Sequence, residues 1–170
     1  MILGNRAGAG ILINGDIYSG FRGAAGEIVE AAGVVGLNDF DDHPIAWLTS
    51  PLDAQRAHAL SRVAAARLGD PEALAEIDEF VTAVTPLLIT LSWTIAPPLI
   101  VFGGGLEDAA DLLLPRLEAS MRVGNAPDIG LRASQLGLDA PLRGALKLVL
   151  DRLDSELFGP PSLPPKSLHD

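Results

Sequence analysis

The sequence has no cysteine, few basic residues and no long unbroken apolar run. The absence of cysteine excludes disulfides and thiolate metal ligands. Lys and Arg number 12 against 22 Asp and Glu, and no basic cluster predicts contact with nucleic acid. Pro97 and Pro98 break the longest apolar stretch, residues 86–102, which therefore predicts a buried helix and strand rather than a membrane span. The first residues lack the apolar core of a secretion signal, so we expect a cytoplasmic protein without membrane contact.

The composition is that of a folded domain. The chain has 170 residues, of which 48% are hydrophobic and 20% charged, enough to bury a core. The last residues are rich in proline. We therefore predict one domain over residues 1–159 and a disordered tail over residues 160–170.

A hairpin opens the pattern of secondary structure. Asn14-Gly15 is typical of a two-residue type I′ turn, with strands expected near 9–13 and 16–19. The stretch "MIL" before it resembles the remainder of a third strand, so the first strand of an antiparallel meander is expected to be partly missing.

Two helical patterns follow the hairpin. The first runs from near Pro51 to Gly69, with one predicted apolar face of Leu52, Leu60, Val63 and Ala64. The second begins with Asp70 as N-cap and Pro71 at the first helical position. Pro86 is expected to kink or split that second helix.

The remaining chain alternates strands and helices. A buried strand within residues 98–105 enters a glycine turn, and a helix reset at Pro115 follows. Another strand is expected within 128–137, before a last helix between Asp139 and Gly159. Its apolar stripe comprises Leu142, Leu146, Val149, Leu150, Leu153 and Leu157. This order predicts an α/β fold, with helices packed on a mixed sheet.

Two sets of glycines are candidate sites for a phosphate or nucleotide, because glycine lets backbone amides approach a ligand. The first set, before the hairpin, is Gly4, Gly8 and Gly10. It matches neither a P-loop nor a dinucleotide fingerprint, and a flexible turn explains it equally well. The second set, between a strand and a helix, is Gly103, Gly104 and Gly105. A tight turn that needs positive φ is the alternative there.

Glu27 stands in the small-residue stretch "GFRGAAGEIVE". A lone loop carboxylate is usually solvated, but a carboxylate held on a tight loop can also accept hydrogen bonds from sugar hydroxyls. Both interpretations stay open on the residues alone.

Three segments together resemble the ROK family of repressors, open reading frames and sugar kinases. They are "GAGILINGDIYSGFRGAAGEI" (8–28), "PPLIVFGGGLEDAADLLLPRLEASM" (97–121) and "ASQLGLDAPLRGALKLVL" (133–150). The resemblance extends from about Gly4 to Phe158 and is closest in style to actinobacterial ROK repressors. It implies the C-terminal lobe of the actin-like ATPase (ribonuclease H-like) fold.

The resemblance also implies roles for single residues. Gly26 and Glu27 match the family's sugar-contacting "GEI" motif, and both glycine sets match its nucleotide side. Glu30 stands where most members have a histidine that touches the sugar and ligates zinc. The family's cysteine-rich loop is absent, and His43 with Asp41 and Asp42 is a poor substitute, so no zinc is expected.

No residue matches the family's catalytic aspartate, so the chain alone is not expected to phosphorylate a sugar. Our first hypothesis is a truncated sugar-sensing and dimerising lobe of a repressor, without its DNA-binding segment and without a cofactor. The alternative is the C-terminal half of a sugar kinase, for which ATP and Mg²⁺ would be the cofactors. A third possibility is a structural remnant that binds no ligand. The expected partners are a small sugar and a second copy of the chain.

Overall fold

A computed structural model describes residue 1, residues 8–27 and residues 42–158, without the side chain of Leu138. The chain begins with the predicted hairpin, in which β1 (Ile11–Ile13) pairs antiparallel with β2 (Asp16–Tyr18). The connecting residues Asn14 and Gly15 both have positive φ, 56° and 91°. These angles are those of a type I′ turn, and the prediction from Asn-Gly is confirmed.

Helices α1 (Asp53–Arg67) and α2 (Pro71–Ile95) lie where the sequence predicts them. The Asp70 carboxylate caps α2, since its Oδ1 accepts from the Ala73 amide at 2.8 Å. The buried face of α1 is formed by Ala59, Val63 and Ala66. The predicted face was wrong in three members, because Leu52, Leu60 and Ala64 are exposed.

Pro86 does not split α2, which continues through it from Pro71 to Ile95, so that part of the prediction was wrong. Proline has no backbone N–H, so the Thr82 carbonyl has no helical hydrogen-bond donor at residue 86. Thr82 and Pro86 are both on the exposed side of α2, where water can hydrogen-bond to that carbonyl, while the buried neighbours Thr85 and Leu87 hold the helix to the core.

Residues 99–133 form a strand–helix–strand motif. Strand β3 (Leu99–Phe102) pairs parallel with β4 (Gly130–Ala133), in the register Leu99 with Gly130. Helix α3 (Ala110–Val123) connects them, as a parallel pair requires. The predicted reset at Pro115 is absent because this proline too is exposed.

One apolar core joins these elements. Ile100 and Phe102 of β3 are buried in this core, whereas Leu99 and Val101 are exposed. The core side chains include Val63, Ile77, Phe80, Leu117 and Leu131. The Met1 nitrogen donates to the Val101 carbonyl of β3 at 2.6 Å. The rest of "MIL", predicted to be the remainder of a third strand, lies outside the described residues.

The described chain divides into two compact units, Met1–Gly137 and Leu138 onward. The second contains α4 (Ala140–Phe158), the predicted last helix. Two ion pairs at i,i+4 spacing, Lys147–Asp151 and Arg152–Glu156, run along it. The single domain predicted over residues 1–159 stays a prediction, and the tail lies outside the described residues. Among the helices described, none combines the length and apolar character needed to cross a membrane.

Candidate functional site

The candidate nucleotide side lies at the carboxyl ends of β3 and β4. The glycine turn 103–105 follows β3, and the loop 134–137 follows β4. The Ser134 amide donates to the Phe102 carbonyl at 2.6 Å, and a Cβ at Gly103 would lie 3.3 Å from the Ser134 Cβ. The two loops are therefore in contact, at the edge of a parallel sheet where ligands of α/β proteins commonly bind.

Gly105 is required by packing inside the protein. Its φ is 114°, which L-residues rarely adopt, and a Cβ there would overlap the carbonyl oxygen of Leu48. Leu48 is fully buried in the short helical turn Ala46–Thr49. Contact between two backbone segments thus explains this glycine without any ligand.

Protein groups already engage two of the three amides of this turn. The Gly103 amide donates to the Met1 carbonyl at 3.0 Å, beside β3. The Gly105 amide donates to Oε2 of Glu107 at 2.8 Å. Gly103 and Gly105 are buried, whereas Gly104, with φ of 77°, is partly exposed. In this conformation only the middle glycine of the turn is open to solvent, and the three amides are not all available to one ligand.

Helix α1 fixes the turn through arginine. Nη2 of Arg56 lies 2.7 Å from Oδ2 of Asp108, and its Nη1 lies 3.5 Å from the Leu48 carbonyl. About three helical turns further along α1, the Arg67 guanidinium bonds both carboxylate oxygens of Asp111, at 2.9 and 2.7 Å. These bonds lower the pKa of Asp111, so the pair is ionised at neutral pH. The turn is consequently held in place by two arginines on one helix.

The candidate sugar side is formed by two joined loops. The Ala9 amide donates to the Gly26 carbonyl at 2.9 Å. Gly26 has φ of 91°, and a Cβ there would overlap the Ala9 carbonyl. Glu27 follows directly, with its amide bonded to Ala24 at 3.3 Å and its side chain exposed to solvent. Gly26 therefore allows the loop before β1 and the loop after β2 to form a backbone contact, and Glu27 is the next residue after it.

The other predicted site residues give less information. A Cβ at Gly8 or Gly10 would meet no atom of the described residues within 4 Å, so packing within that part of the chain does not explain these glycines. Gly4 and Glu30, predicted for the nucleotide and the sugar, lie outside the described residues.

His43 is used in packing. Its side chain is 14% exposed and its ring centroid lies 5.8 Å from that of Phe80. Nδ1 accepts from the Ile45 amide at 3.2 Å, and burial lowers the pKa of the imidazole. Over the described ranges, which omit Asp41, no three metal-ligating side chains come together.

Sequence reasoning missed Leu48, Arg56 and Glu107. A glutamate shortly after a helix start can reach back to the N-cap amide, and this spacing could have indicated Glu107. Nothing in the sequence links Leu48 or Arg56 to a turn some fifty residues later, because tertiary packing alone makes that contact.

Comparison with known proteins gives one consistent family. The ROK family model matches residues 47–152. N-acetyl-D-glucosamine kinase of Yersinia enterocolitica is 26% identical over 89% of this chain, and that of Yersinia pseudotuberculosis 27% over 88%. These alignments span 58% and 57% of the relatives' lengths, so the chain corresponds to little more than half of each.

A solved structure gives the same fold. The ROK family glucokinase of Streptomyces griseus, in complex with glucose and AMPPNP, superposes with a TM-score of 0.63. The match has 24% identity and covers 86% of this chain and 58% of that one. The predicted actin-like ATPase fold is confirmed.

Proposed function

We propose that this chain, which belongs to the ROK family, is part of a sugar kinase. In that kinase it would bind the sugar and face the nucleotide. The observation that carries the proposal is the pair of kinase relatives aligned along nearly the whole chain. Our first hypothesis, a repressor lobe, has less support, because the relatives named above are all kinases. The alternative interpretation of the sequence is thus the better one.

The substrate that we propose is a hexose or N-acetylhexosamine, with ATP and Mg²⁺ as the phosphoryl donor. An ionised carboxylate is an acceptor only, so Glu27 would take hydrogen bonds from sugar hydroxyls and hold the ring in one orientation. The exposed Glu27 side chain, next to a loop contact that permits no Cβ at Gly26, supports this role. Glu30 remains a second predicted sugar contact.

The nucleotide phosphates would approach the carboxyl edge of β3 and β4, at the partly exposed Gly104. Gly103 and Gly105 would shape that turn, and Gly4, Gly8 and Gly10 remain predicted contacts on the same ligand. We assign no residue of this chain as the base that accepts the sugar proton during phosphoryl transfer. Homodimerisation also stays a prediction.

Calorimetric titration with glucose, N-acetylglucosamine and xylose tests the sugar site. We expect at least one sugar to bind, and Glu27→Ala to weaken that binding about 10- to 100-fold, the effect of losing hydrogen bonds to a charged group. Glu118→Ala, on α3, removes the same charge from a helix and serves as the control. Sugar binding that is unchanged by Glu27→Ala would exclude the proposed role of this carboxylate.

A further inference from the structure

The Glu107 carboxylate lies against the glycine turn at which we propose that the nucleotide phosphates bind. Its Oε2 accepts the Gly105 amide at 2.8 Å. Its Oε1 lies 4.0 Å from the position that a Cβ would take on Gly137. The carboxylate is therefore between the loops that follow β3 and β4, at the sheet edge where an anionic ligand would be placed.

The Glu107 side chain can leave this edge by rotation alone. The Gly103 amide is bonded beside β3, and Arg56 is held by Asp108 and the Leu48 carbonyl. Glu107, by contrast, is partly exposed and bonded through a flexible side chain. Rotation of that side chain into water would release the Gly105 amide without disturbing the sheet or the arginine contacts.

A carboxylate resembles a phosphate oxygen in charge and in hydrogen bonding. As long as it accepts from Gly105, it occupies that donor and repels a second anion nearby. We infer that Glu107 is a built-in competitor of the nucleotide phosphates, which bind fully to the 103–105 turn only after this side chain has left. The inference rests on the proposed kinase function, and it makes Glu107 a residue that sets nucleotide affinity.

The same contact could also serve only to stabilise the turn, as a glutamate does when it reaches back to an N-cap amide. The two roles differ in their dependence on charge. Glu107→Gln keeps an acceptor of the same size and removes the negative charge. If Glu107 competes with the phosphates, the protein with Glu107→Gln binds phosphorylated nucleotides more tightly. If Glu107 only stabilises the turn, the substitution leaves nucleotide affinity unchanged or weakens it.

The test uses the full protein that carries this chain. We measure the KM for MgATP in sugar phosphorylation, and the Kd for ADP and for adenosine by calorimetry, in wild type, Glu107→Gln and Glu107→Ala. We expect both variants to lower the KM for MgATP and the Kd for ADP about three- to tenfold, the net effect of one ordinary hydrogen bond that no longer has to be broken. Adenosine, which has no phosphate, should bind equally to all three proteins. Glu118→Gln on α3 controls for net charge.

The outcomes separate the two proposals. If wild type phosphorylates a sugar but both Glu107 variants leave the KM for MgATP unchanged or raised, the Glu107 inference is overturned and the kinase proposal stands. An equal gain in adenosine affinity would also overturn it, because charge would not be the cause. If wild type phosphorylates no sugar, the kinase proposal fails and the inference fails with it.

Discussion

Gly105→Ala is expected to lower the free energy of unfolding by about 3–5 kcal/mol, as the sum of a positive-φ penalty and an overlap within a packed region. The φ of 114° disfavours any L-residue, and the new Cβ would overlap the Leu48 carbonyl. Relief of that overlap would move Leu48 or Leu106, which are 0% and 1% exposed. Urea unfolding followed by circular dichroism measures the change.

Gly69→Ala is the matched control for this substitution. Gly69 also has positive φ, 87°, but a Cβ there would meet nothing within 4 Å. The free energy of unfolding of Gly69→Ala should fall by about 1 kcal/mol, from backbone conformation alone. Equal losses at the two positions would show that the contact between Leu48 and the glycine turn does not form in solution.

Gly26→Ala is expected to separate the two loops of the sugar side. The Cβ would overlap the Ala9 carbonyl, so the 2.9 Å bond from the Ala9 amide to the Gly26 carbonyl should break. We expect hydrogen exchange at the Ala9 amide to accelerate at least tenfold, because loss of one local bond of about 1.4 kcal/mol has that effect. Sugar affinity should fall with it, since Glu27 follows Gly26 directly.

Gly23→Ala provides the comparison for Gly26. Its φ is 80° and the space around it is open, so the substitution strains the same loop without pushing on Ala9. Exchange at the Ala9 amide should stay near the wild-type rate in this variant. Acceleration of the same size in both variants would mean that strain anywhere in the loop, rather than the overlap at Ala9, breaks the contact.

The sequence predicted those elements whose signals are local. Asn14-Gly15 specified the hairpin, because both residues tolerate the positive φ that the turn needs. Asp70 and Pro71 specified the start of α2 by the same kind of short-range chemistry. Pro86 does not end α2, because a proline's effect depends on whether solvent or the core faces the carbonyl that has lost its helical donor.

The candidate site was less predictable, because its glycines are explained by distant partners. Gly105 is opposed by Leu48, and Gly26 by Ala9, and neither pairing follows from a periodic pattern. The sequence indicated that small residues were needed at both positions, and offered a ligand at each and, for Gly105, a tight turn with positive φ as the alternative. The structure shows that backbone packing requires both glycines, and that Glu107 accepts the Gly105 amide, a donor of the proposed phosphate site.

Sugar-dependent ATP consumption by the full protein that carries this chain tests the proposed function most directly. With MgATP we expect turnover with N-acetylglucosamine or glucose, a phosphorylated sugar as product, and a loss of at least about 100-fold in kcat/KM for Glu27→Ala, since positioning and charged hydrogen bonds are removed together. Absence of any phosphorylated sugar, with sugar binding intact, would contradict the kinase assignment and favour a sugar-sensing protein instead.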